Sequence, residues 1–170
     1  EADDKLWSVV TDEETYQAKA VIVATGSTLK HIGVPGEEKL LGRGVSHCAS
    51  CDGPMYNEQT VGVVGGGDSA LQEALTLTNY AEKVLLFHQG DSFAAQQTYL
   101  QRVLDNPKIA PRYQTVIEEV LGDEVVTGVH ARDLKSGETS QVELTGLFIY
   151  VGLQPNTALL RDIVKLGESG

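Results

Sequence analysis

The sequence predicts an α/β protein built on a Rossmann-like nucleotide-binding domain of three layers, with a parallel sheet, a helical face and a β-meander. Three observations carry this prediction. Segment 60–87 shows a strand, a glycine-rich turn, a helix and a second strand in succession. Segment 114–144 combines strand-forming residues with turn signals, which is typical of a meander. The composition, 41% hydrophobic with 18 glycines and 5 prolines in 170 residues, is that of an ordinary globular domain.

The net charge and the cysteine content narrow the partners and the compartment. The excess of 24 acidic over 13 basic residues gives a net charge of -11, which repels phosphate backbones and anionic lipids. Apolar runs stay far below the roughly 20 residues of a membrane-spanning helix. We therefore expect neither nucleic acid nor a membrane as partner. Only Cys48 and Cys51 occur, which indicates a reducing compartment, and we expect a cytoplasmic protein.

The first part of the chain predicts two strands and a connector. Residues Trp7–Val10 predict a strand, and the apolar run 20–24, with the sequence AVIVA, predicts a buried one. From residue 27 to 44 the prolines, glycines and charges predict a connector between two bodies, with a domain boundary near His31.

A βαβ unit follows the connector. Strands are predicted at Thr60–Val64 and Lys83–Phe87, with a helix over about 68–81 between them. A second helix is predicted over about 93–104, where Pro107 follows closely. The first helix carries a face of helical spacing that suits packing on a sheet, formed by Ala70, Leu71, Ala74, Leu75 and Thr78.

The last third of the chain predicts a meander and a returning strand. Residues 114–121 are extended, and residues 125–134 pair with 139–144 across a polar turn. The apolar run 146–151 predicts a strand that returns to the parallel sheet. The tail 157–170 predicts a second crossing between the two bodies.

The glycine-rich turn of the βαβ unit predicts a dinucleotide site. Its glycines allow a tight turn and a close approach of backbone to a pyrophosphate, and the helix amides that follow face the phosphates. The alternative is a purely structural turn, but the strand, turn, helix and strand context favours dinucleotide binding. The residues that fit the pattern G-x-G-x-x-G/A are Gly65, Gly66, Gly67, Asp68, Ser69 and Ala70.

The residues after the second strand leave the choice of nicotinamide nucleotide open. An acid about 20 residues beyond the glycines binds a ribose 2′-hydroxyl, and a nearby arginine accommodates a 2′-phosphate. The strand instead ends in His88, Gln89 and Gly90, and Asp91 is the first acid after it. Charge alone therefore predicts NAD(P)H without deciding between NADH and NADPH, and a plain surface role for His88 stays open.

Residues 48–51, with the sequence CASC, form a C-x-x-C, a spacing that serves redox exchange or half of a zinc site. A structural zinc site needs about four ligands, and no second C-x-x-C or histidine pair follows, so no metal is predicted. A redox-active pair is favoured over two thiols at chance spacing. Asp52 follows directly, either as the group that takes and returns the proton of thiol–disulfide exchange or as a turn residue before Gly53.

Several motifs, in order, carry a family resemblance that covers nearly the whole chain. They are the Ala-Thr-Gly of residues 24–26, the Gly-Arg-Gly-Val of 42–45, the redox motif 48–53, the glycine-rich turn 65–70 and the run 148–157. Together they resemble the low-molecular-weight thioredoxin reductase family. The redox motif just before the nucleotide fingerprint is distinctive of that family and of its relative, the flavoprotein subunit of alkyl hydroperoxide reductase.

The resemblance implies a two-domain flavoprotein disulfide oxidoreductase that forms a homodimer at full length. Electrons would pass from NAD(P)H to FAD, then to the disulfide and on to a thioredoxin-like protein. Catalysis would rest on Cys48, Cys51 and Asp52, with Cys51 nearer the flavin. Besides the glycine-rich turn, the cofactor-binding set would include His88, Gln89, Val151 and Gly152.

The resemblance also divides the chain into three parts. Residues 1–30 correspond to a piece of the FAD-binding domain and a crossing strand, 31–152 to the NAD(P)H-binding domain that carries the redox disulfide, and 153–170 to a segment that returns to the FAD domain. The family's opening glycine fingerprint for FAD and its closing Gly-Asp segment have no counterpart in the sequence. We therefore expect FAD only in a longer protein, and a chain that is inactive alone.

The segment that binds the 2′-phosphate in NADPH-using members departs from the family pattern. Those members carry His-Arg-Arg-Asp-x-Phe-Arg-Ala, whereas residues 88–95 are His-Gln-Gly-Asp-Ser-Phe-Ala-Ala, without the three arginines. Hydrogen bonds to charged groups contribute about 1.5–3 kcal/mol each, so the hypothesis is NADH, or weak nicotinamide binding with another donor such as ferredoxin. Two further alternatives are a reductase for a peroxiredoxin-type protein and a nucleotide-binding regulatory module without turnover.

Overall fold

A computed structural model gives the conformation of residues 6–167. Residues 1–5 and 168–170, at the two ends of the outer predicted segments, lie outside the described part. The chain divides into two units, one formed by Leu29–Leu153 and the other by residues 1–28 with 154–170. In chain order the elements are β1 Trp7–Val10, β2 Thr15–Ala18, β3 Ser27–Leu29, β4 Val45–Ser46, α1 Ala49–Asp52, a 3₁₀ helix Gly53–Tyr56, β5 Thr60–Val64, α2 Asp68–Leu77, β6 Lys83–Phe87, α3 Gln97–Leu104, β7 Ile109–Arg112, β8 Thr115–Leu121, β9 Gly128–Asp133, β10 Thr139–Glu143, β11 Gly146–Ile149, β12 Leu153–Pro155 and a 3₁₀ helix Ala158–Leu160.

The unit 29–153 is centred on a parallel sheet of five strands in the order β4-β11-β5-β6-β7. The two strands of the predicted βαβ unit are confirmed with their predicted bounds, and they pair from Thr60 with Lys83 to Val64 with Phe87. The chain runs outward from β5 through β6 to β7, whereas β11 and β4 lie on the other side of β5. Such a reversal of strand order leaves a crevice at the carboxyl ends of the strands, which is where ligands bind in open α/β sheets.

The three predicted layers are present because the sheet buries both of its faces. Successive side chains of a strand point to opposite faces, so a strand covered on both sides has a continuous apolar sequence such as that of β6, VLLF at 84–87. One face packs on the helices through Val61, Val63, Ala70, Leu71, Ala74, Leu77, Val84, Leu86 and Phe148. The other packs on the antiparallel meander, in the order β10-β9-β8, through Leu85, Phe87, Ile117, Val120, Val129, Ala131, Leu147 and Ile149.

Both predicted helices are shorter than their patterns suggested. The helix predicted to about residue 81 ends at Leu77, because residues 78–81 close a turn in which the Tyr80 and Ala81 amides both donate to the Leu77 carbonyl. The helix predicted from about residue 93 begins at Gln97. Its first predicted turn is a loop, since the Ala94 amide donates to the Gly66 carbonyl instead of within a helix. The described helices include none long and apolar enough to span a membrane.

Two short strands of the parallel sheet had no sequence prediction. β7 contains Pro111, which lacks an amide hydrogen and disfavours a strand assignment, but β7 is an edge strand, where proline is tolerated. β4 has only two residues, Val45 and Ser46, both buried. Its brevity leaves no periodicity to detect, although it leads directly into the C-x-x-C.

The unit formed by residues 1–28 and 154–170 carries the β1-β2 hairpin. The strand predicted at Trp7–Val10 is confirmed, but the buried strand predicted at 20–24 is wrong. Those residues form no strand, and the Ile22 side chain is 93% exposed. A strand needs a neighbour to satisfy its backbone N–H and C=O groups, and no described strand pairs with 20–24. Apolar β-branched composition was therefore not sufficient to define a strand.

Candidate active site at the carboxyl ends of the parallel strands

The predicted redox pair lies at the carboxyl end of β4. Cys48 and Cys51 form a disulfide, with Cα atoms 5.3 Å apart. The pair is brought together by α1, because residues three apart lie on the same side of a helical turn. Cys48 occupies the N-cap position of α1, and its Sγ accepts a hydrogen bond from the Cys51 amide at 3.2 Å.

The two sulfur atoms have different surroundings. The Ser50 hydroxyl lies 3.5 Å from Cys48 Sγ, and because a disulfide sulfur carries no hydrogen, the hydroxyl is the donor. Cys48 Sγ thus has two donors, counting the Cys51 amide, and is half-buried, whereas Cys51 is exposed. Hydrogen bonds to a charged sulfur favour the thiolate, so this arrangement suits a negative charge on Cys48.

Asp52 is connected to the first cysteine through one hydroxyl group. Its Oδ2 accepts a hydrogen bond from the Ser46 hydroxyl at 2.6 Å, and Ser46 Oγ accepts one from the Cys48 amide at 3.0 Å. Asp52 makes no capping hydrogen bond to the 3₁₀ helix that follows it. The Asp52 charge, after burial, also raises the pKa of Tyr56. The carboxylate therefore faces the redox segment, as a proton-handling role requires.

The glycine-rich turn lies at the carboxyl end of β5. Gly65 has φ +142°, and a Cβ added there would lie 2.3 Å from the Tyr150 carbonyl oxygen, so no other residue fits without a shift of backbone. Gly67, by contrast, has no atom within 4 Å of an added Cβ, and it begins α2 without a side-chain cap. The free amides of the helix start and the open space beside them fit a pyrophosphate.

A cleft of about 820 Å³ within the unit 29–153 joins the predicted cofactor-binding residues. It brings together the glycine-rich turn, His88, Gln89, Val151 and Gly152. The redox residues Cys48, Cys51 and Asp52 are not part of its lining. The lining consists of residues 29–32, 64–70, 87–89, 94, 115–117 and 150–153.

The loop after β6 is held against the glycine-rich turn. The His88 ring is in contact with Gly66, where an added Cβ would lie 2.2 Å from Nδ1, and its Nε2 donates to the Ser92 carbonyl at 2.9 Å. Asp68 accepts hydrogen bonds from the backbone amide and the side-chain amide of Gln96, both at 2.7 Å. These bonds, the backbone one first, hold the pKa of Asp68 below its ordinary value. His88 is therefore part of the cleft wall rather than a free surface residue.

The cleft wall lacks the arginines of NADPH-using members at two of the three corresponding positions that can be compared directly. Gln89 and Ala94 both line the cleft. The third position is Gly90, which has no side chain. Lys30 is the lysine of the lining, and among the described residues that form it there is no arginine. No described group of three or more His, Cys, Asp or Glu side chains has a geometry that could hold a metal ion.

Three residues of this region, Ser46, His47 and Tyr150, had no sequence prediction. His47 Nδ1 donates to the Ile149 carbonyl at 2.9 Å, and the Tyr150 hydroxyl accepts a hydrogen bond from the Ala49 amide at 2.9 Å. The available signal was topological. Parallel strands end at the same edge of a sheet, so the residues that follow the run 146–149 were bound to lie near those that follow the neighbouring strands.

The fold and the site together define a class of protein, namely a dinucleotide-binding domain with a built-in redox disulfide. Sequence comparison agrees with this class. The family model described as pyridine nucleotide-disulphide oxidoreductase matches residues 2–170, and the chain belongs to that family.

Relatives of known name narrow the relationship to thioredoxin reductases and confirm the resemblance found in the sequence. The chain is 47% identical over 163 residues to the thioredoxin reductase of Mycolicibacterium smegmatis, covering 96% of this chain and 52% of that protein. It is 43% identical over 164 residues to the bifunctional thioredoxin reductase/thioredoxin of Mycobacterium leprae, covering 96% and 36%. The structure of Lactococcus lactis thioredoxin reductase superposes with a TM-score of 0.88 at 36% identity, covering 97% and 55%.

The chain thus spans about half the length of the thioredoxin reductases it matches. That family uses NADPH and FAD. The glycine-rich turn described above fits a nicotinamide dinucleotide. Within residues 6–167 no second glycine-rich turn joins a strand to a helix, so the described residues offer no corresponding cradle for FAD.

Proposed function

We propose that this chain is the nicotinamide-dinucleotide-binding and disulfide-bearing part of a flavoprotein disulfide reductase of the thioredoxin reductase type. The whole protein transfers two electrons from a reduced nicotinamide nucleotide, by way of FAD, to the Cys48–Cys51 disulfide and on to a thioredoxin-like protein. The observation that carries this proposal is the position of the two sites. The disulfide and the glycine-rich turn follow β4 and β5, the two strands that flank β11.

The chain's own residues account for the sulfur chemistry. Reduction breaks the S–S bond and adds two electrons and two protons, so a proton donor and acceptor is needed beside the pair. Asp52 takes this role through the Ser46 hydroxyl. Cys48, whose Sγ has two hydrogen-bond donors, is the better-stabilised thiolate and attacks the partner disulfide, and Cys51 resolves it. When bound, FAD supplies the acceptor for the nicotinamide hydride and the electron donor for the disulfide.

The domain assignment extends the two units. Residues 31–152 form the NAD(P)H-binding domain, and residues 1–30 and 153–170 belong to the FAD-binding domain, completed by other parts of a longer protein. The division of the structure at residues 28/29 and 153/154 supports this assignment. The exposure of the apolar run 20–24 supports it too, since an apolar segment of a complete domain is expected to be covered.

The electron donor is NADH rather than NADPH. A 2′-phosphate needs cationic donors, and the positions that carry arginines in NADPH-using members are Gln89, Gly90 and Ala94. With no arginine in the described cleft lining, the 2′-phosphate loses its charge-assisted contacts. The same observation favours a second candidate, in which another donor such as ferredoxin reduces the disulfide and the nucleotide site is vestigial or regulatory.

Calorimetric titration of the 170-residue chain with NADH and with NADPH tests the nucleotide assignment. NADH should bind at least tenfold more tightly than NADPH. NADPH binding much tighter than NADH would overturn the choice of donor, and binding of neither would favour the second candidate. Equilibration in dithiothreitol redox buffers, followed by alkylation of free thiols, tests the redox assignment in the same sample. A Cys48–Cys51 pair that does not cycle reversibly would sink the reductase assignment altogether.

The partner is a thioredoxin-like protein, as the fused thioredoxin of the Mycobacterium leprae relative suggests. A peroxiredoxin-type protein is the alternative partner, and the full-length protein is expected to be a homodimer in the cytoplasm. Mixed-disulfide trapping discriminates the two partners, since a Cys51→Ser form of the full-length protein should hold a thioredoxin through Cys48. Capture of a peroxiredoxin instead would favour the alternative.

A further inference from the structure

The carboxyl end of β11 contacts the disulfide segment on both sides of the first cysteine. The Ile149 carbonyl accepts a hydrogen bond from His47 Nδ1, and the Tyr150 hydroxyl accepts one from the Ala49 amide, each at 2.9 Å. Cys48 lies between the two bonded residues. We call these two hydrogen bonds the β11 anchor, since consecutive residues at one strand end hold the residues before and after one sulfur.

The same strand end forms a wall of the glycine-rich turn. The Tyr150 amide donates to the Val64 carbonyl at 2.8 Å, immediately before the first glycine. The Tyr150 carbonyl approaches Gly65 so closely that an added Cβ would lie 2.3 Å from its oxygen. Tyr150 also lines the cleft. Its backbone therefore supports the nucleotide turn while its hydroxyl supports the disulfide helix.

Each half of the anchor involves a buried polar group with few alternatives. Ala49 is completely buried, so its amide hydrogen has little access to water if the Tyr150 hydroxyl is removed. Burial, reinforced by the charge of Glu73, raises the pKa of Tyr150, so the hydroxyl stays protonated at neutral pH. His47 Nε2 is buried and has no partner among the described residues. Unpaired buried nitrogens are uncommon in native proteins, and this one adjoins the redox cysteine.

We infer that Tyr150 is a positioning residue that couples the two sites, so that a nucleotide bound at the glycine-rich turn changes the disulfide–dithiol equilibrium of Cys48 and Cys51 through the β11 anchor. The inference rests on the proposed function. Opening the S–S bond frees the Cys48 side chain at the start of α1 and thereby changes what the anchor holds. Coupling between two sites is reciprocal, so the redox state of the pair must change nucleotide affinity by the same factor.

The test uses ADP-ribose, which has the pyrophosphate of the dinucleotide but no nicotinamide, so that it supplies no electrons. The 170-residue chain is equilibrated in dithiothreitol redox buffers with and without saturating ADP-ribose. Dithiothreitol supplies the two electrons and becomes its own cyclic disulfide. The disulfide–dithiol equilibrium constant of the wild-type chain should shift at least about fivefold on ADP-ribose binding, which is the lower end of typical coupling between sites.

Tyr150→Phe removes the hydroxyl and keeps the ring. The ADP-ribose-dependent shift should fall below about twofold in this variant, and its affinity for ADP-ribose in the oxidised state should change less than about threefold. Tyr99→Phe is the matched control, because the Tyr99 hydroxyl donates to Gln72 between α2 and α3, outside the anchor. The control should keep the full wild-type shift. His47→Leu breaks the other hydrogen bond of the anchor and provides the same test if Tyr150→Phe does not fold.

Failure of the inference is distinguishable from failure of the proposed function. A wild-type chain that binds ADP-ribose and cycles its disulfide, but shows no nucleotide-dependent shift, overturns the inference alone. So does a folded Tyr150→Phe that keeps the full shift. A wild-type chain that binds neither ADP-ribose nor NADH, or whose cysteines do not cycle, overturns the proposed function and the inference with it.

Discussion

The disulfide segment 45–53 and the glycine-rich turn 64–70 follow two strands that flank β11, but they keep their shapes by different means. The turn depends on backbone, with a positive φ at Gly65 and a carbonyl packed where a Cβ would stand. The disulfide segment depends on side chains, since Ser46, His47, Asp52 and Tyr150 supply its hydrogen bonds. The turn should therefore fail when atoms are added, and the disulfide segment when side-chain atoms are removed.

The largest expected effect separates the chemistry of the two regions. Cys51→Ser leaves one thiol, so reversible two-electron reduction of the pair should be abolished. Nucleotide affinity should remain within about twofold of the affinity of the wild-type dithiol form, because the turn keeps its backbone. Thiol alkylation in redox buffers and calorimetric titration measure the two properties. A Cys51→Ser full-length protein that still turned over a thioredoxin-like substrate would contradict the assignment.

The next effect tests the dependence of the turn on backbone space. Gly65→Ala should destabilise the domain by about 3 kcal/mol, from the strained φ and the overlap with the Tyr150 carbonyl. Gly67→Ala is the matched control and should change stability by less than about 1 kcal/mol, since its φ is -97° and its Cβ meets no atom. Urea unfolding measures both. Equal destabilisation by the two variants would show that the turn is not limited by that carbonyl.

A third effect concerns the cleft side chains alone. The double variant Gln89→Arg with Ala94→Arg should tighten NADPH binding about tenfold or more for each arginine that reaches the 2′-phosphate, with little change for NADH. Gln97→Arg adds the same charge on α3, outside the cleft lining, and controls for net charge. Calorimetric titration is the measurement. An equal gain from Gln97→Arg would mean that the effect is long-range attraction rather than contact.

The smallest effect concerns the bond between the loop and the turn. Because hydrogen bonds from Gln96 lower the pKa of Asp68 in the folded state, their stabilisation is present above its ordinary value and is lost as the pH falls through the lowered pKa. Gln96→Ala removes the side-chain bond and keeps the backbone one, so the pKa of Asp68 should rise part of the way to its ordinary value. An NMR titration of the Asp68 carboxyl measures this, and an unchanged pKa would contradict the assigned bond.

The sequence predicted best where one local pattern coincided with one requirement of the fold. The strands Thr60–Val64 and Lys83–Phe87 are apolar along their whole length, since both faces of the sheet are covered, and their bounds were predicted correctly. The glycine pattern at 65–70 was predicted by position because its chemistry is local. The run 20–24 has the same apolar character, but local composition does not report whether a partner strand is present.

The anchor contacts were beyond prediction because they join residues distant in the sequence. His47 and Ile149 are 102 residues apart, and Ala49 and Tyr150 are 101 residues apart. Their meeting depends on the two-residue strand β4, which brings the disulfide segment beside β11 and is too short to show a pattern. The starting point of α3 was missed for a similar reason, since Gln96 is bound to Asp68, 28 residues earlier.

The attachment of loop 88–96 to the glycine-rich turn bears on how cofactor preference evolves. Backbone groups and Asp68 make that attachment, whereas Gln89 and Ala94 line the cleft through side chains that carry none of those bonds. Mutations at these two positions are thus expected to leave the scaffold unchanged while they alter the charge presented to the ribose. Lineages with this architecture have a route of single substitutions between donor nucleotides that does not pass through an unstable intermediate.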